Sequence, residues 1–162
     1  MDRIRCSTGI SQYDKIIDDL RIGDNVVWHT DQLEAYVHLA RRFAAQAVAD
    51  NRKLLYLRFA VHPPILEPSD NWTILQLDAA SGFESFASEV HRIIEEAGIG
   101  AFYIFDSLSE LQEAWATDLM VGNFFAVTCP FLFELDTIAY FCIIRGVHAA
   151  DAIARIRETT QL

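Results

Sequence analysis

The chain has 162 residues, of which 52% are hydrophobic, and its formal net charge is −10. This length suits one domain with a substantial core and is too short for two, while the apolar content excludes an intrinsically disordered chain. The acidic balance argues against nucleic acid as a partner, because the overall field repels a polyanion. The sequence has neither an apolar run of roughly 18 residues nor the apolar core of a signal peptide, so we expect a cytoplasmic protein without a membrane partner.

Cysteine and histidine placement indicates no disulfide or metal framework. The three cysteines, Cys6, Cys129 and Cys142, are odd in number and lack paired spacing, which is typical of reduced thiols. No two of the five histidines stand at the spacing of zinc ligands. We therefore predict neither a disulfide scaffold nor a structural metal.

The first part of the chain predicts a strand, a loop and a helix. Residues 26–28 form a short apolar run typical of a buried strand, and residues 29–32 are polar. From Leu33 onward, apolar side chains recur at helical spacing. Asp31 followed by Glu34 fits a capping box, so we expect the helix to begin here. In nucleotide-binding proteins a phosphate loop occupies this place.

Strands continue to alternate with helices. The β-rich run at residues 53–59 predicts an interior parallel strand, and a proline-containing extended loop separates it from a short strand at residues 72–77. Residues 101–105 predict a buried strand that ends at Asp106, and residues 137–144 predict another. This alternation predicts an α/β fold with a mostly parallel sheet and helices on both faces.

Two more capping boxes mark the expected helix starts. They are Ser81 with Glu84 and Ser107 with Glu110, while Gly98 is placed to end the first of these helices. The aromatic-rich residues 124–135 fit no single element, and residues 155–162 fit either a helix or the start of a strand. Because the chain ends without a stop signal or polar tail, we expect residues 1–162 to be one N-terminal domain of a longer protein.

The opening of the chain resembles the KaiC-like branch of the RecA ATPase family. Members of that branch carry a Ser/Thr-Gly-Ile turn, a hydrophobic-aspartate pair and a glycine before the first strand. The corresponding residues here are Thr8-Gly9-Ile10, Tyr13-Asp14 and Gly23. The resemblance implies a three-layer RecA-like sheet with a nucleotide cleft at one edge.

The phosphate-binding loop of that family is not preserved. An ungapped match places Thr30 on its first glycine, Tyr36 on its lysine and Val37 on its magnesium-binding serine or threonine. Side chains at glycine positions crowd the approach of backbone N–H groups to phosphate. Tyrosine cannot neutralise the β- and γ-phosphates, and valine offers no oxygen to a hard cation. Asp31 adds a negative charge where phosphate would lie.

One catalytic feature of the family remains. Asp106 ends the strand AFYIFD and matches the Walker B aspartate, which makes it the only candidate magnesium ligand. An alternative role for Asp106 is to stabilise a helix N-terminus.

The glutamates that activate water are replaced by Ala60-Val61. His62 begins a loop where open α/β sheets bind ligands. The candidate remnant cleft therefore comprises Thr30, Asp31, Tyr36, His62 and Asp106.

Most of the chain also resembles a domain that precedes the PEP/pyruvate-binding module in bacterial relatives of phosphoenolpyruvate synthase and pyruvate, phosphate dikinase. The supporting stretches are LRIGDNVVW, HRIIEE, ATDLMVGNFF, FELDTIAYF and IARIRETTQL. This resemblance implies an attached phosphotransfer module in the same chain. The RecA resemblance implies side-by-side packing, and the aromatic density leaves room for an apolar contact patch, so we expect a homo-oligomer.

Three functions remain open from sequence. The first is a non-catalytic RecA/KaiC-like domain with a regulatory, scaffolding or oligomerisation role for the phosphotransfer module. The second is a nucleotide or small-anion sensor that binds at the remnant cleft without hydrolysis. The third is an ATPase with a nonstandard loop that uses ATP and Mg²⁺, for which Lys53 is the nearest substitute lysine. Ser107 lacks a G-x-S-x-G elbow, so we predict no hydrolase nucleophile there.

Overall fold

A computed structural model describes residues 2–115 and 117–162. It contains seven strands and six α-helices among these residues. The strands are β1 (Arg5–Cys6), β2 (Leu20–Arg21), β3 (Asn25–Thr30), β4 (Leu54–Arg58), β5 (Thr73–Gln76), β6 (Phe102–Ser107) and β7 (Ile138–Ile144). The helices are α1 (Ser11–Ile17), α2 (Leu33–Ala49), α3 (Phe83–Ala97), α4 (Glu110–Trp115), α5 (Asp118–Glu134) and α6 (Ala150–Thr159).

The core of the molecule is a five-stranded sheet in the order β3-β7-β6-β4-β5, with every neighbouring pair parallel. A separate antiparallel pair, β1 with β2, lies at the N-terminal side of the sequence. The predicted interior strand at residues 53–59 is confirmed as β4, which lies between β5 and β6. The predicted α/β class with a parallel sheet is therefore confirmed.

Helices cover both faces of this sheet and produce two hydrophobic cores. On one face, α2 packs its buried side chains against residues such as Tyr56, Ile104 and Tyr140. On the other face, α3, α4, α5 and α6 pack against residues such as Leu57 and Phe105. Successive side chains of a strand point to opposite faces, so a strand buried on both faces must be apolar throughout. This explains why the segments that form β4, β6 and β7 are mostly apolar in the sequence and could be predicted as buried strands.

The predicted capping boxes are wrong at all three helices. Helix α2 has Gln32 at its N-cap, α3 has Gly82, and neither receives a side-chain capping bond. Ser107 is the last residue of β6, and α4 begins only at Glu110. A side-chain cap that the four-residue pattern did not reveal is Thr117, whose hydroxyl accepts a hydrogen bond from the Met120 N–H at the start of α5.

The ambiguous aromatic segment is part of α5, which continues through both Gly122 and Pro130. Gly122 does not break the helix, and its missing side chain makes room for Arg155 of α6. A Cβ at this position would lie 3.0 Å from Cδ of Arg155. Residues 155–162, for which the sequence allowed either a helix or a strand, are helical as far as Thr159. Beyond the helix, the Val27 N–H on the edge strand β3 donates to the carbonyl oxygen of Leu162 at 3.0 Å.

Within residues 2–115 and 117–162, no helix combines the length and apolar character needed to cross a bilayer.

Candidate functional site

Parallel strands end together at one edge of the sheet, and this edge carries the predicted site residues. Thr30 ends β3 opposite Ile144 of β7, and Ser107 ends β6 opposite Cys142 of β7. Asp106 therefore lies near the end of the central strand, while Thr30 lies on the edge strand with β7 between them. Ligands of open α/β sheets bind at this edge, so the geometry of Asp106 decides what the site can hold.

Asp106 is fully buried and its carboxylate is already occupied by protein donors. The backbone N–H groups of Phe59 and Ala60 donate to Oδ2 at 3.0 and 3.1 Å. The Tyr56 hydroxyl donates to Oδ1. These donors come from β4 and the loop that follows it. Asp106 therefore anchors that loop, and the predicted alternative, that it stabilises a helix N-terminus, is wrong.

His62 lies over the same carboxylate and closes the cluster. Its side chain is 7% exposed, and Nε2 stands 3.7 Å from Oδ1 of Asp106. Nε2 accepts a hydrogen bond from the Ser107 N–H at 3.3 Å, and Nδ1 lies 2.8 Å from the carbonyl oxygen of Pro63. This pattern fits a neutral ring with its proton on Nδ1. The structure thus brings His62 and Asp106 together in a closed arrangement.

Burial also sets the protonation chemistry of this cluster. Desolvation raises the pKa of Asp106, against the opposing effects of the Tyr56 hydroxyl, of His62 and of the two backbone N–H groups. Burial likewise raises the pKa of Tyr56. A magnesium ligand must be an ionised carboxylate that faces an open coordination sphere. Asp106 has neither an open face nor a strong preference for the ionised form, so it fits an internal anchor better than a metal ligand.

Tyr36, which the resemblance placed at a lysine position, is completely buried. Helix α2 begins at Leu33, so residue 36 lies in its first turn on the side that faces the sheet. The Tyr36 hydroxyl lies within donating distance of the carbonyl oxygens of Phe105, at 2.7 Å, and Tyr140, at 3.1 Å. These bonds join α2 to β6 and β7. Tyr36 therefore occupies the core beneath the predicted cleft.

The other two predicted residues lie away from the Asp106 cluster. Thr30 is half-buried, with its Oγ1 3.8 Å from Sγ of Cys142. Asp31 is exposed, and its Oδ1 lies 3.1 Å from Nη1 of Arg145 in a surface ion pair. Such pairs contribute at most about 1 kcal/mol. Among the five predicted residues, the structure brings His62 and Asp106 together from distant parts of the chain, with Nε2 3.7 Å from Oδ1.

A second polar cluster at this edge escaped the sequence analysis. Ser109 Oγ lies 2.8 Å from Nε2 of His148, and Nδ1 of the same ring lies 2.8 Å from Oδ1 of Asp118. The three residues are far apart in the chain and match no short motif. The sequence signal that could have indicated the cluster is the position of two residues. Ser109 follows the central strand β6 and His148 follows the adjacent strand β7, so both lie at the same edge of the sheet.

Comparisons with known proteins add no assignment. No protein-family model matches the chain, and no curated protein matches it. Within the described residues, no group of three or more histidine, cysteine or acidic side chains is arranged to hold a metal ion. All three cysteines are free.

Proposed function

We propose that this chain is a RecA/KaiC-like domain that has lost nucleotide chemistry and has a regulatory, scaffolding or oligomerisation role. The sequence resemblance extends the proposal to an attached phosphotransfer module related to phosphoenolpyruvate synthase and pyruvate, phosphate dikinase, in the cytoplasm. The observation that carries the proposal is the occupied carboxylate of Asp106. A residue that holds magnesium in an ATPase is here a buried structural anchor.

The lysine position supports the same conclusion. Tyr36 is fully buried and its hydroxyl lies within donating distance of strand carbonyl oxygens inside the core, so a lysine ammonium at this place has no route to a phosphate. The ion pair between Asp31 and Arg145 supplies no net positive charge at the loop. A triphosphate therefore meets neither of the charges that hold it in related ATPases. These features also count against the alternative of a nucleotide or small-anion sensor.

A scaffolding or homo-oligomeric role requires surfaces for contact. Several large apolar side chains are strongly exposed, among them Val61 at 91%, Ile16 at 78% and Ile99 at 78%. Val61 lies in the loop anchored by Asp106, immediately after Ala60. On this proposal, the edge where a nucleotide would have bound carries instead a loop with an exposed apolar side chain, which suits a contact surface.

The proposal predicts no ATP turnover by the purified chain. Phosphate release should stay at the level of a protein-free blank with Mg²⁺ and ATP, and Asp106→Asn should release the same amount. An ATPase contaminant would affect both proteins equally, so the comparison isolates the site. Turnover that is present in the wild-type chain and absent in Asp106→Asn would contradict the proposal.

A further inference from the structure

The cluster of Ser109, His148 and Asp118 is separate from the remnant nucleotide cleft and uses none of its residues. Ser109 follows the central strand β6, His148 follows the adjacent strand β7, and Asp118 is the first residue of α5. All are drawn together by tertiary structure alone. They follow the chain order serine, aspartate, histidine, which is also the order in α/β-hydrolases.

Hydrogen-bond geometry shows how the three side chains are connected. Asp118 accepts at both oxygens, from Nδ1 of His148 at 2.8 Å and from the Ala149 N–H at 2.7 Å. Burial of Asp118 raises its pKa, but these two bonds outweigh that effect and lower the pKa overall, so the group is a carboxylate at neutral pH. A neutral ring that donates from Nδ1 to this carboxylate accepts at Nε2.

The hydroxyl of Ser109 completes the chain of bonds. Its oxygen accepts the Ile144 N–H at 2.8 Å, and its one proton points to Nε2 of His148, also at 2.8 Å. A nucleophile bonded to a base that a third group orients is the arrangement used for covalent catalysis. The Ile144 N–H occupies one lone pair of the serine oxygen and fixes its position, and the second lone pair is left to attack a carbonyl carbon.

We propose that Ser109, His148 and Asp118 form a hydrolytic site for small, uncharged carboxylic esters. Ser109 is the nucleophile, His148 is the general base and then the general acid, and Asp118 is the positioning residue for the ring. This site functions independently of Asp106 and Tyr36.

The reaction balances without a cofactor. Ser109 Oγ forms a bond to the ester carbonyl carbon as its proton passes to Nε2 of His148. The tetrahedral intermediate collapses, the bond to the alkoxy oxygen breaks, and that oxygen leaves as an alcohol with the proton from His148. Water then attacks the acyl-serine and gives its proton to His148, and the acid is released as Ser109 recovers the proton.

The surroundings of the cluster define the substrate class. Ser109 is 9% exposed and the His148 side chain is 0% exposed, so only a small acyl group reaches the hydroxyl. Leu119 and Val147, next in sequence to Asp118 and His148, are 58% and 40% exposed and provide an apolar rim. The adjacent helix α4 has acidic residues in its first turn, which disfavour anionic esters.

Slow turnover is expected because the site lacks the glycine-flanked serine turn of efficient hydrolases. The Ile144 N–H donates to Ser109 Oγ itself and not to the carbonyl oxygen of a bound ester, so it is not an oxyanion donor. Each missing oxyanion donor typically lowers kcat by about 100- to 1,000-fold. Formation of a covalent adduct is therefore a more sensitive readout than steady-state hydrolysis.

The test is reaction of the full chain with a small alkyl fluorophosphonate, followed by intact mass measurement and peptide mapping. We expect one adduct per chain, on Ser109, and parallel loss of p-nitrophenyl acetate hydrolysis. His148→Gln should slow adduct formation by at least about 100-fold, the usual contribution of a general base. Ser107→Ala is the matched control and should react like the wild type.

Mapping the adduct on the wild-type chain requires no variant to fold, so the result is decisive even if Ser109→Ala is unstable. Absence of an adduct after hours with millimolar probe would overturn the proposal, and so would an adduct on a different residue. An adduct on Ser109 that forms equally fast in a folded His148→Gln variant would overturn it as well, because the ring would then be only a structural partner of Ser109.

Discussion

Asp106→Ala should lower the free energy of unfolding by about 3 kcal/mol. The substitution leaves the Tyr56 hydroxyl and the N–H groups of Phe59 and Ala60 without an acceptor. Each buried donor left unsatisfied costs about 1–3 kcal/mol, and relief of the buried carboxylate's desolvation offsets part of the sum. For a domain of this size the melting temperature should fall by roughly 6–12 °C.

Chemical denaturation of the wild type and the variant measures this effect. Asp31→Ala is the matched control, because Asp31 is an exposed aspartate at the same edge of the sheet with only a surface ion pair. That change should stay within about 0.5 kcal/mol of the wild type. If Asp106→Ala were as stable as Asp31→Ala, Asp106 would not be the anchor of the loop after β4.

Tyr36→Lys should confer no nucleotide binding and should destabilise the fold by about 4 kcal/mol or more. The substitution replaces a fully buried phenol with an ammonium that has only strand carbonyl oxygens nearby. Burying an unpaired charge is among the most costly changes in a core, and the cavity left by the aromatic ring adds to it. The family's lysine is therefore incompatible with the packing of α2 in this chain.

Comparison with Tyr36→Phe separates the hydroxyl from the ring. Phenylalanine keeps the packing and loses only the hydrogen bonds to Phe105 and Tyr140, so we expect a loss of about 1 kcal/mol. Urea unfolding and a nucleotide titration on all three proteins provide the measurement. A Tyr36→Lys variant with wild-type stability and a Mg²⁺-dependent response to ATP would show that the cleft is open and only its charge is missing.

The strands were predictable because their patterns are direct consequences of burial. Residues 54–57 and 101–105 are apolar on both faces of the sheet, and no other environment favours that pattern so strongly. The capping boxes failed because a four-residue match arises easily by chance. At α3 the N-cap is Gly82, whose φ of 98° is a backbone conformation that favours glycine. Ser81 therefore lies one residue before the position from which a side chain caps the helix.

Both polar clusters depend on contacts between residues that are far apart in the chain, so no short sequence motif predicts them. The donors to Asp106 lie 46 to 50 residues earlier in the chain. Ser109 lies 39 residues from His148, and Asp118 lies 30 residues from it. The match of Asp106 to a metal ligand identified the right residue by type and position. The role of Asp106 as an anchor is visible only in the structure, because its hydrogen-bond donors come from the adjacent strand β4 and the loop that follows it.

The most direct measurement of the central claim is a thermal-shift titration of the purified chain with ATP, ADP and AMP, each with and without Mg²⁺. A ligand at about 100 times its Kd stabilises a fold by about 2.7 kcal/mol, which moves the melting temperature of such a domain by several degrees. We predict no Mg²⁺-dependent shift at millimolar nucleotide beyond that of salt at matched ionic strength. A shift of several degrees that requires Mg²⁺ and disappears in Asp106→Asn would contradict the loss of nucleotide binding and establish the chain as a nucleotide sensor.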